Sequence, residues 1–302
     1  MKTVLVLIGK PGRLTPEMTR AAAAALGGGE PAPGRWLAPG EAWELDMAGA
    51  AGADRVRRAL DGAAIDVAVV AAHGRRKKLL IADMDSTIIA IECIDELADF
   101  AGVKAEVGHI TARAMRGELD FEAALDARIE LLAGLPETAL AQAFEDRVEL
   151  NPGARTLVAT MRAAGAHCAL VSGGFGYFTR RVRDWVGFDQ DVANELLFVD
   201  GRLTGVAKPI LGRAAKLAML RRLCAEHGLE AGAALAVGDG ANDLEMIRAA
   251  GLGVAFHAKR VLAEAADVRI DHGDLTALLY LQGYHRDAFV PAGAAPVPGP
   301  AG

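Results

Sequence analysis

The sequence predicts an α/β protein in which a parallel sheet covered by helices is interrupted by a helical insertion and preceded by a small α+β unit. Three observations carry this. Short apolar runs at residues 79–82, 168–171, 235–237 and 252–256 are separated by helical patterns, as in a parallel sheet whose crossovers are helices. The stretch 91–150, between the first two runs, is mostly helical and holds no convincing strand, so it looks like an inserted cap. The first seventy or so residues follow another plan, in the order strand, helix, strand, strand, helix, strand.

Taken in order, residues 4–8 (VLVLI) are a continuous apolar run suited to a buried strand. Thr15-Pro16-Glu17 starts a helix with a hydroxyl N-cap, proline at the first position and an acid in the first turn; Gly27 to Gly29 stop it. Extended stretches around Trp36-Leu37 and 42–45 flank Pro39-Gly40, a second helix runs from Asp54 to near Gly62, and 66–72 reads as another strand. This is the split βαβ order of ferredoxin-like domains. His73 to Lys78 (HGRRKK) reads either as an anion patch or as a solvated linker; a charge run this short favours the linker. Further on, residues 195–199 and 202–206 flank Asp200-Gly201, a two-residue hairpin signal, so a β-hairpin flap is expected.

Composition narrows the function. The 302 residues carry 33 Lys+Arg against 39 Asp+Glu, a net charge of −6, with 52% hydrophobic and 5% aromatic residues. Such a chain can bury a core, and its acidic balance argues against a nucleic-acid partner and for a small molecule. Cys93, Cys168 and Cys224 are odd in number and form no CxxC, so neither a disulfide framework nor a zinc knuckle is written here. No signal-peptide core and no membrane span is evident, which makes a cytoplasmic location the expectation. The last residues are Ala, Pro and Gly, too poor in large apolar groups to repay ordering.

Chemistry concentrates where apolar runs end. Residues 79–82 lead into Asp83-Met84-Asp85-Ser86-Thr87, placing two aspartates at the carboxyl end of a parallel strand, where open α/β sheets bind ligands. Two carboxylates this close need a shared cation or proton, and hard oxygen donors suit Mg²⁺; alternatively they cap a turn. A second acidic loop, Gly238-Asp239-Gly240-Ala241-Asn242-Asp243, follows residues 235–237 and makes coincidence a poor explanation. A third strand ends in Ser172-Gly173-Gly174, a hydroxyl with exposed N–H groups of the kind that hold phosphate oxygens. Lys216, ahead of the second acidic loop, offers a cation. Gly9-Lys10 lacks the rest of a P-loop, and the histidines form no HxxxH.

Together these four pieces, DMDST, SGG, the lysine and GDGANDLEM, resemble the haloacid dehalogenase (HAD) superfamily of phosphotransferases over residues 79 to about 281. Within it, IECIDELADFAG, ARAMRGELDF (112–121) and VSGGF are similar to the phosphoserine phosphatases. The expected organisation is a ferredoxin-like, ACT-like domain at 1–74, a Rossmann-like HAD core at 75–284 with its cap inserted at about 91–150, and a disordered tail at 285–302.

The resemblance implies Asp83 as nucleophile and Asp85 as general acid and base. It implies Mg²⁺ held by Asp83, the backbone carbonyl of Asp85, Asp239 and, in support, Asp243. Ser172, the Gly173 N–H, Lys216 and Asn242 would meet the phosphoryl oxygens. Glu92 would take the ammonium and Arg128 the carboxylate of O-phospho-L-serine, with Met115 and Phe121 as an apolar lid. The N-terminal domain is similar to amino-acid-binding modules and offers a surface for a homodimer, although fold analogy establishes no ligand. Two alternatives stay open: the same chemistry on another ester or acceptor such as homoserine, and an amino-acid-sensing binding protein with a vestigial core. The intact acidic loops oppose the second.

Overall fold

The computed structural model describes residues 2–27, 34–49, 52–115 and 118–291. The N-terminal unit runs β1 (Thr3–Gly9), α1 (Pro16–Leu26), β2 (Arg35–Ala38), β3 (Ala42–Met47), α2 (Ala53–Ala59) and β4 (Ile65–Ala71), with an antiparallel sheet ordered β2-β3-β1-β4. Thr15 caps α1 by accepting from the Met18 N–H at 3.4 Å, with Pro16 in the first turn. β1 is buried on both faces, which explains its unbroken apolar run. Leu5 and Leu7 pack with Ala22 and Val56 of the two helices, whereas Val4, Val6 and Ile8 join the core of the rest of the molecule.

That second face corrects the reading of 73–78 as a solvated linker at two positions, Arg75 and Lys77; His73, Gly74, Arg76 and Lys78 are exposed. Arg75 pairs with Glu44 of β3 at 2.8 Å and donates through Nε to the Leu281 carbonyl at 3.1 Å; Lys77, 7% exposed, donates to the Gly232 carbonyl at 2.8 Å. Glu44 is only 2% exposed, so Arg75 and Arg35 supply the counter-charge that a buried carboxylate requires. Asp66 of β4 accepts backbone N–H bonds from Asp271 and Gly273, both at 2.8 Å, although burial raises its pKa. The basic segment is a stitched seam between two units that share apolar contacts.

The second unit begins with β5 (Leu79–Ala82). The inserted helices follow: α3 (Cys93–Phe100), α4 (Lys104–Met115), α5 (Phe121–Leu131) and α6 (Thr138–Arg147). The chain then returns through α7 (Ala154–Ala163), β6 (His167–Phe175), α8 (Gly176–Val186), β7 (Gln190–Asn194), the hairpin β8 (Leu196–Val199) and β9 (Arg202–Val206), and α9 (Arg213–Glu226). It closes with β10 (Ala234–Gly238), α10 (Leu244–Ala249), β11 (Leu252–Phe256), α11 (Arg260–Ala265), β12 (Val268–Ile270) and α12 (Ala277–Leu281). The sheet order is β12-β11-β10-β5-β6-β7 and every pairing is parallel. Successive strands move outward from β5 and then from β10, so the topological switch point lies between these two. The apolar runs predict four strands of this sheet. The two outer ones, β7 (QDVAN) and β12 (VRI), are short and partly polar, and only their ladders mark them as strands.

The hairpin turns at Asp200-Gly201, both in the left-handed region (φ 49° and 69°), and leans on the cap, where Gly134 N–H donates to the Leu203 carbonyl at 2.8 Å. The tail differs from expectation at its start. Arg286 pairs with Glu41 at 3.0 Å, Phe289 stacks on Tyr280 at 5.0 Å, and Val290 N–H donates to Thr160 Oγ1 at 2.9 Å. Residues 285–291 have these anchors; 292–302 lie outside the described residues. Among the described residues no helix is long and apolar enough to cross a membrane.

Candidate active site

The site forms where β5, β6 and β10 end on one edge of the sheet. Asp83 follows β5 directly, its N–H donating to the Val237 carbonyl at 3.0 Å. Its Oδ1 accepts from the Met84 N–H and lies 2.8 Å from Lys216 Nζ. Lys216, on α9 and 1% exposed, also reaches Asp243 Oδ1 at 2.6 Å. Asp243 is wholly buried and accepts from the Gly240 N–H at 3.1 Å through Oδ2. Glycine at 238 is required by this approach, since a Cβ there would stand 2.3 Å from the Asp243 carboxyl carbon.

Carboxylate oxygens of Asp83, Asp239 and Asp243 lie within 4.8 Å of one another. Burial, then the charge of Asp243, pushes Asp83 up to about 7 against the pull of Lys216. Burial, then Asp83, raises Asp239 to about 6. Burial would pull Lys216 down, but Asp243 and Asp83 outweigh it and keep the ammonium protonated. Lys216 thus offsets the charge of Asp83 and Asp243 in part, Lys259 that of Asp239, and the remaining buried excess, presented by hard oxygens, fits a divalent cation such as Mg²⁺. A cation here competes with protons. The melting-temperature gain from added Mg²⁺ is therefore expected to be small near pH 5 and to grow up to about pH 8, as Asp239 and Asp83 lose their protons. A gain that shrinks with rising pH in calorimetric melts would contradict this assignment.

Asp85 follows Met84 in the same loop. Its Oδ1 accepts from the Cys93 N–H at 2.9 Å and its Oδ2 from Ser172 Oγ at 3.3 Å, while Ser172 Oγ accepts from the Gly174 N–H at 2.8 Å. A Cβ at Gly174 would come within 2.6 Å of Asp85 Oδ2, so glycine is needed for the loop to close on the carboxyl. Burial, then the charge of Glu92, lifts Asp85 to about 7, which keeps a substantial protonated fraction at neutral pH. The same burial, with Asp85, pushes the Cys93 thiol well up, so it stays protonated.

On the cap side, Glu92 precedes α3 and its Oε1 accepts from Ser86 Oγ at 2.8 Å. Arg128, on α5, donates through Nε to the Ala124 carbonyl at 3.0 Å; burial lowers its pKa while Asp95, Glu92 and Asp85 counter that pull. Phe121 opens α5 behind the Asp120 cap and lies over Gly173 and Gly212, within 2.8 Å of where a Gly173 Cβ would stand. Met115 ends α4, and its side chain lies outside the described residues. Asn242 Oδ1 covers Gly240.

The fold thus gathers Asp83, Asp85, Ser172, Lys216, Asp239 and Asp243 into one cluster, with Glu92 at its rim. Sequence reasoning missed two neighbours. Buried Asn194, at the end of β7, donates to the Gly173 carbonyl at 2.8 Å and accepts from the Leu211 N–H at 2.6 Å, bracing the glycine loop against the approach to α9. Lys259 reaches both Glu92 and Asp239. Its position just after β11 was the available signal, weak because most lysines in loops are solvated.

Comparison with known proteins places this arrangement. Residues 80–248 match the family model of haloacid dehalogenase-like hydrolases. A phosphoserine phosphatase of Streptomyces coelicolor is 47% identical over 226 residues, 74% of this chain and 55% of that protein. Another, from Albidiferax ferrireducens, is 49% identical over 210 residues, 68% of this chain and 89% of that one. The chain therefore spans little more than half of one curated relative and most of the other. The crystal structure of a probable phosphoserine phosphatase from Vibrio cholerae superposes with a TM-score of 0.78 at 33% identity, covering 95% of this chain and 88% of that one.

Proposed function

The chain belongs to the haloacid dehalogenase-like hydrolases, and from that premise we infer that it is an Mg²⁺-dependent phosphomonoesterase converting O-phospho-L-serine to L-serine and phosphate through an aspartyl-phosphate. The observation that carries this reading is the pair of aspartates after β5 held by different partners: Asp83 against a buried ammonium, Asp85 against two neutral donors beside Glu92. Burial raises both carboxyls, but the ammonium favours the ionised form of Asp83, the nucleophile, whereas Asp85 has Glu92 and no cation against it and is available as an acid.

Asp83 attacks phosphorus, and the P–O bond to the seryl oxygen breaks as Asp85 delivers its proton to that oxygen. In the second step Asp85, now ionised, takes a proton from the water that attacks the phosphoaspartate, releasing phosphate and restoring Asp83. Lys216, Ser172 and the N–H groups of the glycine loop offset charge on the phosphoryl oxygens. Mg²⁺ would be held by Asp83, Asp239 and the Asp85 carbonyl, with Asp243 in support, and would supply further charge neutralisation to the phosphoryl group. Phe121 over Gly173 and Gly212 keeps water from the leaving side. Glu92 takes the substrate ammonium and Arg128 its carboxylate, because guanidinium geometry suits bidentate binding. Three buried, unpaired thiols suit a reducing, cytoplasmic setting.

Phosphate release from O-phospho-L-serine, with and without Mg²⁺, beside a panel of other small esters, tests the reading. Metal-dependent preference for phosphoserine is expected. Arg128→Lys should raise KM for phosphoserine by about tenfold while leaving esters without a carboxylate nearly unchanged. Turnover confined to other esters would retain the chemistry and discard the Glu92 and Arg128 assignments; inactivity on every ester would discard the enzyme.

A further inference from the structure

Lys259 belongs to none of the four motifs, yet it is tied to the site by three bonds. It stands between β11 and α11, and its backbone N–H donates to the Asp239 carbonyl at 2.8 Å. Its ammonium lies 3.2 Å from Asp239 Oδ2 and 3.1 Å from Glu92 Oε1. Asp239 belongs to the core and Glu92 opens the cap, so one side chain joins the carboxylate cluster to the residue assigned to the substrate ammonium. Ser86 Oγ bonds the same Glu92 oxygen, Oε1, at 2.8 Å. Two donors on Oε1 fix the carboxylate, and among the described residues none donates to Oε2, which is left to accept from a ligand.

We propose that Lys259 is a positioning and specificity residue, which with Ser86 holds Glu92 oriented toward an amino-bearing phosphate ester while its charge is balanced by Asp239. This rests on the reading that Glu92 takes the substrate ammonium. An isolated half-exposed ion pair contributes little, because water solvates both partners and the side chains lose freedom. Lys259 differs in bridging two carboxylates, one of them 5% exposed, from a backbone already pinned to Asp239. Its positive charge is shared between Glu92 at 3.1 Å and Asp239 at 3.2 Å, which limits its repulsion of the incoming ammonium. Removing Lys259 therefore frees Glu92 more than it improves the field.

The test compares O-phospho-L-serine with the phosphate monoester of 3-hydroxypropionate, which lacks only the amino group, for wild type, Lys259→Met, Lys259→Arg, Glu92→Gln and the Lys259→Met/Glu92→Gln double variant. Lys259→Met should lower kcat/KM for phosphoserine about five- to tenfold, mainly through KM, and leave the des-amino ester within about twofold. Lys259→Arg should keep most of the preference, and in the Glu92→Gln background the methionine change should have no further effect. Calorimetric titration with Mg²⁺ should show binding to Lys259→Met tightened a few-fold, because one cation has left the carboxylate group. Tighter metal with poorer phosphoserine use is a combination that mere loosening of the fold would not produce. Equal losses on both esters, an undiminished effect in the Glu92→Gln background, or weakened Mg²⁺ binding would each overturn the proposal. A wild-type enzyme that shows no preference for the amino ester would overturn the reading of Glu92 itself, and this inference with it.

Discussion

Asp83→Asn is expected to reduce phosphate release by at least about a thousandfold, because an amide cannot form the covalent phosphoenzyme. The side chain is buried, and its Oδ1 accepts from Met84 and Lys216. An amide oxygen can keep both bonds, and the substitution removes a charge that burial and Asp243 already disfavour. The variant should therefore fold, with a melting temperature near that of the metal-free wild type. Acid-quenched reactions with labelled substrate should trap an acyl phosphate on the wild type and none on the variant. Residual activity above about a hundredth of wild type, beyond what a contaminating phosphatase explains, would remove Asp83 from the nucleophile role.

Asp85→Asn separates the two steps. The acid and base roles belong to one carboxyl, whose loss should cost about a hundred- to ten-thousandfold in kcat for phosphoserine. An aryl phosphate needs little help from an acid, so the first step should survive with that substrate and the second should not. Asp85→Asn is then expected to release a stoichiometric burst of phenol, followed by slow turnover as phosphoenzyme accumulates. The sign of the pH effect follows from the raised pKa. Burial and Glu92 hold Asp85 to about 7, so the protonated form needed to expel the seryl oxygen declines as pH rises through that value. The alkaline fall in kcat with phosphoserine should be present in wild type and absent from the variant's burst phase. Equal losses on the seryl and aryl esters, with no burst, would assign leaving-group protonation elsewhere.

How much of this was legible in the chain depends on how local each signal is. The strand ending in DMDST and the one ending in GDGAND were readable because an apolar run and the acids that follow it are contiguous, and a parallel sheet brings such ends to one edge. Ser172-Gly173-Gly174 was readable for the same reason. The outer strands β7 and β12 were not, because a three- to five-residue polar segment becomes a strand only through its ladder with β6 or β11. Arg75, Lys77 and Glu44 show the opposite error. A run of basic residues looks solvated from its composition, and only packing reveals that two of them serve a buried carboxylate and backbone carbonyls of neighbouring segments.

What the sequence by itself determined is the α/β plan and the chemistry at the strand ends, since hydrophobic period, turn residues and strand-terminal acids are all written within a few residues of one another. The tertiary structure alone decided how those ends are charged and who their neighbours are. Lys216 meets Asp243 across 27 positions and Lys259 meets Glu92 across 167. It also decided that the N-terminal sheet shares its second face with the catalytic unit. Ion pairs and shared cores over such separations leave no period in a chain, because they depend on where folding brings distant segments and how much water it removes from between them.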